Sequence, residues 1–559
     1  MSGRNIVIVG GVAGGATCAA RLRRLDENAR ILVLDRGPHV SFANCGLPYY
    51  VGNVIRDEAK LLLASPALFK ERFHIEARTG HEAVAINREQ RTLTVRDVNT
   101  GDEYTESYDA LVLSPGAAPI RPSWPGIDLP GIFTLRNIPD SREIRAWIEA
   151  RKPGKAVIVG AGFIGLEMAE NLRHRGIKVT VIEMASQVMP PLDPEMAEYA
   201  RQRLEAQEVK LVLGDGVAGF AAADDSGITV KTQSGATFQA ELVVLAIGVR
   251  PETQLARAAG LALGERGGIR VNEQMRTSDP HIWAIGDAVE VKNILTGQWE
   301  LIPLAGPANR QGRVAADAIC GRATRFRGVQ ATAVCGFLGL TVAMTGATEK
   351  ALLRAGKSDF ASIYLHPGHH VGYYPGAHAI HMKLLFRTSD GRVLGAQAVG
   401  GEMGVERRID VLAQAIQMKA TVFDLEEAEL CYAPQYGSAK DPVNFAGMIA
   451  ANVLRGDVEL ASWGDLDTTP AMILDVREPH EFGAGSMQGS VNIPLSKLRE
   501  QIGKLPHERE IWVTCGVGQR AYYACRILTQ HGLQARNLSG GYGTFQVRYP
   551  DRVKRPRAK

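Results

Sequence analysis

"NIVIVGGVAGGATCAARLRRLDENARILVLDRG" (residues 5–37) reads as strand, glycine turn, helix and second strand, closed by Asp35. Four apolar residues enter the turn at Gly10, and Gly15 follows five residues on. Glycines there let the backbone approach a pyrophosphate, which sits on the helix N-terminus where free N–H groups and the macrodipole attract anions. The acid at the second strand end is placed to bind ribose hydroxyls. The spacing departs from G-x-G-x-x-G, because Val12 holds the middle place.

A second copy begins 150 residues later, in "KAVIVGAGFIGLEMAENLRHRGIKVTVIE" (155–183), where Gly160, Gly162 and Gly165 complete the fingerprint and Glu183 closes the second strand. Two such units imply two dinucleotides. A carboxylate at that strand end accepts from a ribose 2′-OH and repels a 2′-phosphate, so the second site is expected to favour NADH. The basic neighbours Arg173, His174, Arg175 and Lys178 leave NADPH as the alternative.

The bulk properties agree with an enzyme of several domains. At 559 residues the chain is long enough for three or four domains. A formal net charge of +4 carries no footprint of a nucleic-acid partner. The terminal "DRVKRPRAK" reads as a solvated tail. The apolar start is broken by glycines and followed by arginines, so it is not expected to be a targeting segment, and no apolar run reaches the roughly 20 residues that span a bilayer. Seven scattered cysteines suit neither a disulfide framework nor a zinc site, and a reducing cytoplasm is the expected compartment, with no metal.

Two further apolar strands end in glycine turns, "ELVVLAIGVRPET" (241–253) and "TSDPHIWAIGDAVE" (277–290), the second with Asp287 after Gly286. With these motifs in this order, residues 1 to about 450 resemble the FAD-dependent pyridine nucleotide-disulfide reductases. The resemblance implies an α/β fold with two Rossmann-like domains, the NAD domain inserted in the FAD domain. The expected boundaries are 1–115 with 240–325 for FAD, 150–240 for NAD and 326–450 for an α+β dimerisation domain. It also implies that Asp287 contacts the flavin ribityl and pyrophosphate.

Many members of that superfamily carry two active-site cysteines whose second would stand at position 50. Here "SFANCGLPYY" (41–50) holds Cys45 alone and Tyr50 in the second place. The stretch is similar to the single-cysteine branch of coenzyme A-disulfide reductases, NADH peroxidases and oxidases, and coenzyme A-dependent persulfide reductases. A turn at Gly46 and Pro48 into a helix would aim N–H groups at the sulfur and favour a thiolate. Arg21 and Arg24 lie one helical turn apart and are expected to meet a phosphate-bearing ligand.

"YYPGA" (373–377) and "CYAPQYGSAKDPVNFAGMIA" (431–450) look like the dimerisation domain of the coenzyme A-disulfide reductases. The resemblance implies a homodimer in which Tyr374, Tyr432 and Tyr436 approach the partner's active-site sulfur. It further implies coenzyme A binding by Ser41 and Asn44, extended here to Asn309 and Arg313 of "PANRQGR" (307–313), with Tyr436 beside them.

After "MIAANVLRGDVELASW" a new αβ pattern starts at "AMILDVREPHEF" (471–482) and runs through "GSVNIPLSKL" and "IWVTC" into "CGVGQRAYYACRIL" (515–528). It resembles a rhodanese domain over about 463–559, which implies that Cys515 carries sulfur and Arg520 is the loop arginine. Gly516 and Gly518 allow successive N–H groups to curl round the sulfur. The expected activity is NADH- and FAD-dependent reduction of coenzyme A persulfide, polysulfide or coenzyme A disulfide, a small-molecule substrate. The alternatives are an NADH peroxidase or oxidase cycling through a sulfenic acid, and a flavin redox-sensing binding protein.

Overall fold

The computed structural model describes residues 3–223 and 227–554, so the last five residues of the basic tail lie outside it. It divides into two units, residues 1–186 with 208–330 and residues 187–207 with 331–559.

The first unit holds two parallel five-stranded sheets. In one, Asn5–Val9 lies between Ala110–Leu113 and Arg30–Asp35, with Ile282–Ala284 and Glu76–Thr79 at the edges. Ile6, Val7 and Ile8 are fully buried, because helices cover parallel sheets on both faces and leave no polar side to alternate. The helix Ala13–Leu25 follows the first turn and packs on Ala305–Ile319. A Cβ on Gly312 would lie 2.5 Å from the Gly14 carbonyl oxygen, so only glycine permits that approach. In this way a stretch some 290 residues away returns to the first nucleotide turn.

The second sheet runs Lys210–Leu213, Lys178–Glu183, Lys155–Val159, Leu242–Leu245, Ile132–Thr134. The helix Phe163–His174 joins its two central βαβ strands and packs on the short helix Leu47–Val51 that follows Cys45. Gly52 is in van der Waals conflict range of Asn171 for any larger residue, which fixes the two helices close together.

The second unit contains an antiparallel sheet in the order Ala333–Phe337, Leu340–Gly346, Val393–Gly400, Ile380–Phe386, Ala361–Leu365. The helix Val405–Met418 covers it with Val405, Ile409, Leu412 and Ile416, a spacing of three to four that lays one apolar stripe on the sheet. The helix Pro194–Ala206, although between strands of the first unit in sequence, belongs here. Lys383 explains that placement, since its buried ammonium reaches Asp193 at 2.9 Å, Glu195 at 2.6 Å and Glu349 at 2.5 Å. Residues 459 onward add a parallel sheet, Glu459–Leu460, Ala535–Asn537, Ile511–Thr514, Met472–Asp475, Val491–Asn492.

Candidate active site

Cys45 sits in a single 3-10 turn, Asn44–Gly46, ahead of Leu47–Val51. The thiol is open to solvent at one side yet set in a well of protein atoms. Desolvation there pushes its pKa up, and the carboxylates of Glu167 and Asp287 push it further. This corrects the sequence expectation of a depressed thiol. The helix that follows has only five residues, and the nearest anions outweigh its few N–H groups. Tyr50, in the place of a second cysteine, is buried with its hydroxyl donating to Glu58. None of the seven cysteines, all of them among the described residues, is joined in a disulfide.

Glu167 is the functional candidate that sequence reasoning missed. It comes two residues after Gly165, half-buried on the helix Phe163–His174, and accepts a hydrogen bond from Tyr49. Burial raises its pKa to about 7, with Glu170 adding to the effect. Its signal was its position in the fingerprint, but only packing of the two helices brings it to Cys45.

The nucleotide turns behave as their glycines require. Gly10 has φ +93° and Gly160 φ +105°, and a Cβ on either would lie 2.0 Å or 2.4 Å from the carbonyl oxygen of Ser114 or Ala246. Gly162 faces open space, which explains how Val12 is tolerated at the matching position of the first turn. Asp35 accepts from Gly11 N and Gly37 N, and Glu183 accepts from Ala161 N at 2.7 Å and Ala185 N at 2.8 Å. Both strand-end carboxylates are therefore aimed before any ribose arrives. Asp287 is well enclosed, its pKa pushed up by burial, and its nearest cation, Arg136, stands 4.0 Å away. Such a carboxylate is suited to take hydroxyl donors, and the cradle as a whole fits FAD at the first turn and a nicotinamide dinucleotide at the second.

The expected phosphate-binding residues divide. Arg21 is held by Asp317 at 2.8 Å, so its charge is already matched, whereas Arg24 is exposed. Arg23 turns inward and caps the carbonyls of Phe73, His74, Asp26 and Glu27. Asn309 accepts from Thr17 at 2.5 Å on the seam between the two helices, and Arg313 is exposed. Ser41 occupies the left-handed region at φ 48°, with its N–H bonded to Gly11, and Asn44 is half-buried.

In the second unit Tyr374, Tyr432 and Tyr436 are all exposed. Arg407 fixes the loop that carries two of them by donating to the carbonyls of Tyr436 and Cys431. Tyr432 shares a 2.9 Å hydroxyl bond with Tyr373, not with Tyr374, which sits edge-on to His370.

Cys515 lies buried at the end of strand Ile511–Thr514, and Gly518 N donates to its sulfur at 3.1 Å. That N–H is available because Gly518 has φ +93°. Arg520 reaches the same sulfur and is clamped by Glu481 through two 2.7 Å bonds. Cys525 is packed inside the following helix, and burial raises its pKa.

Residues 4–312 match the model of the pyridine nucleotide-disulphide oxidoreductases. The chain belongs to that family. Residues 332–441 match the family's dimerisation domain, and 461–547 a rhodanese-like domain. The Staphylococcus haemolyticus coenzyme A disulfide reductase is 35% identical over 451 residues, covering 80% of this chain and all of the relative. The crystal structure of reduced Bacillus anthracis CoADR-RHD is 46% identical, with a TM-score of 0.96 over 99% of both chains. A NAD-dependent persulfide reductase from A. fulgidus is 37% identical, with a TM-score of 0.89, covering 97% of this chain and all of the other. As a member of this oxidoreductase family, the chain is an enzyme of mixed α/β fold with a rhodanese domain at its C-terminal end. Among the described residues, no helix is long and apolar enough to cross a membrane.

Proposed function

We propose that this oxidoreductase reduces a coenzyme A disulfide, a coenzyme A persulfide or a polysulfide, with Cys45 as its redox thiol and Cys515 as a sulfur carrier. The observation that carries the reading is the solitary Cys45, set at the meeting of both nucleotide units with a tyrosine where a second thiol would stand. The full-length likeness to CoADR-RHD and to the persulfide reductase supports it.

Bound FAD and NADH supply the electron pair. Cys45 contributes the nucleophile. Its thiolate attacks one sulfur of the substrate S–S bond, and coenzyme A or hydrosulfide leaves with the bonding pair. Glu167, poised near neutrality, can hold the proton that the thiol gives up. Arg24, Arg313, Ser41, Asn44 and Asn309 would receive the coenzyme A. Asp287 with Gly10, Gly15 and Asp35 would hold FAD, and Gly160, Gly162, Gly165 and Glu183 the nicotinamide dinucleotide. The dimerisation domain supports a homodimer, in which Tyr374, Tyr432 and Tyr436 would serve the partner's site, and a reducing cytoplasm is the compartment proposed.

The test is Cys45→Ser in the FAD-loaded protein. NADH should still bleach the flavin, while sulfide or coenzyme A release should fall to background. Undiminished release would refute the reading, and peroxide consumption exceeding release from every sulfur substrate would favour a sulfenic-acid peroxidase.

A further inference from the structure

The Cys515 loop is electrically neutral, and we infer that it selects small organic persulfides over sulfane donors that are oxyanions, with Glu481 as the residue that decides. The inference rests on Cys515 acting as the sulfur carrier proposed above. The loop contributes Gly516, Val517, Gly518 and Gln519 between the cysteine and Arg520, none of them charged. Arg520 is its one cation, and Glu481 takes both guanidinium arms in a fork geometry at 2.7 Å. The pair lies over the loop, since a Cβ on Gly516 would stand 3.5 Å from Arg520 Nη2 and 4.0 Å from Glu481 Oε1. Arg477, which donates to the Glu481 carbonyl at 3.3 Å, is buried and matched by Asp475 through 2.7 Å and 3.0 Å bonds. Each of the two cations, Arg520 and Arg477, is therefore matched by a carboxylate of its own.

This pairing persists through the working pH range. The Arg520 hydrogen bonds hold the Glu481 carboxyl down to about 2, so the fork stays ionised. Val517, at the tip, and Tyr523, on the next helix turn, are exposed and present apolar surface, not charge, to an incoming donor.

The two donor classes differ in what the loop must tolerate. For an organic persulfide, the Cys515 thiolate attacks the outer sulfur of R–S–SH, the S–S bond breaks, R–S⁻ leaves with the bonding pair, and Cys515–S–SH remains. With thiosulfate the same attack brings a dianion against the thiolate and expels sulfite, again a dianion. Neither transfer has net oxidation. The second places three negative charges in a buried site whose cations are already matched, and repulsion there is poorly screened.

The experiment uses the full-length, FAD-loaded chain in a Cys45→Ser background without NADH, with cyanide as acceptor and thiocyanate as readout. The probes are hydroxyethyl persulfide and thiosulfate. The persulfide is expected to show kcat/KM at least about 100-fold higher, and Glu481→Gln, which frees the Arg520 charge, to narrow that ratio at least about tenfold by raising the thiosulfate value. Glu481→Gln with Arg520→Gln restores neutrality and should return the preference. Thiosulfate equal to or better than the persulfide in the parent protein, a comparison independent of any variant, would overturn the selectivity. An unchanged ratio in a folded, FAD-loaded Glu481→Gln protein would overturn the role of Glu481. Transfer from neither donor, or transfer that survives Cys515→Ser, would instead refute the carrier reading.

Discussion

Tyr373 and Tyr432, 59 residues apart in the chain, join their hydroxyls at 2.9 Å on the surface of the dimerisation domain. Two exposed phenols held this way position one another, and the bond raises the Tyr432 pKa. If Tyr432 gives a proton to the departing thiolate, Tyr432→Phe should lower kcat about 10- to 100-fold with little change in the KM for NADH. Tyr373→Phe should cost less and move the alkaline limb of the kcat profile to lower pH, because the bond that raised the Tyr432 pKa is gone. A steady-state pH profile of both variants checks this.

Glu167 offers a second test through charge. As an anion near Cys45 it raises the thiol pKa, so Glu167→Gln should make the thiol ionise at lower pH, read from the pH dependence of its alkylation. The same group bears on stability. Its folded pKa of about 7 lies above the unfolded value, so its protonated form favours folding and the benefit is lost as pH rises from about 4.5 through 7. Glu167→Gln should therefore gain stability at pH 8 relative to the parent, by about 1–2 kcal/mol once partial exposure is allowed for, and show little gain at pH 4.5. Denaturant melts at the two pH values decide it.

Glu183 is expected to set the pyridine nucleotide preference. Two backbone N–H groups fix its carboxylate, so it meets a 2′-phosphate as an anion that cannot turn away. Glu183→Gln keeps one acceptor for those amides and should shift the kcat/KM ratio toward NADPH by about 1–3 kcal/mol. An unchanged ratio would assign the preference to Arg173, His174, Arg175 and Lys178.

Lys383 binds the Pro194–Ala206 segment to the antiparallel sheet. Burial opposes its charge, but the carboxylates of Glu195, Asp193 and Glu349 together keep the ammonium protonated. Glu195 is likewise held at about 2, against the penalty of burial, by Lys383. Removing one partner of such a cluster leaves the others buried and unmatched, so Lys383→Met should destabilise by about 3–5 kcal/mol. A fall in Tm with retained FAD content in the surviving folded fraction would show that the loss is one of packing charge. The three acids that meet there were not legible as a site, since they come from positions 193, 195 and 349.

The sequence by itself determined the local machinery. The glycine turns at Gly10 and Gly160, the carboxylates at Asp35 and Glu183, the lone Cys45 and the Cys515 loop are each specified by residues within about 30 positions of one another. Glycine where φ is positive, an acid at a strand end and a thiol in a turn are chemical necessities that leave a fixed spacing. What surrounds them was decided only by tertiary structure. The environment of Cys45 depends first on its burial and then on Glu167 and Asp287, which are remote in sequence, and together they reverse the effect expected of a helix N-terminus. The pairing of Arg21 with Asp317, of Tyr432 with Tyr373 and of Arg520 with Glu481 likewise joins distant segments. Electrostatic interactions depend on distance through space and on solvent access, and neither is a property of spacing along a chain.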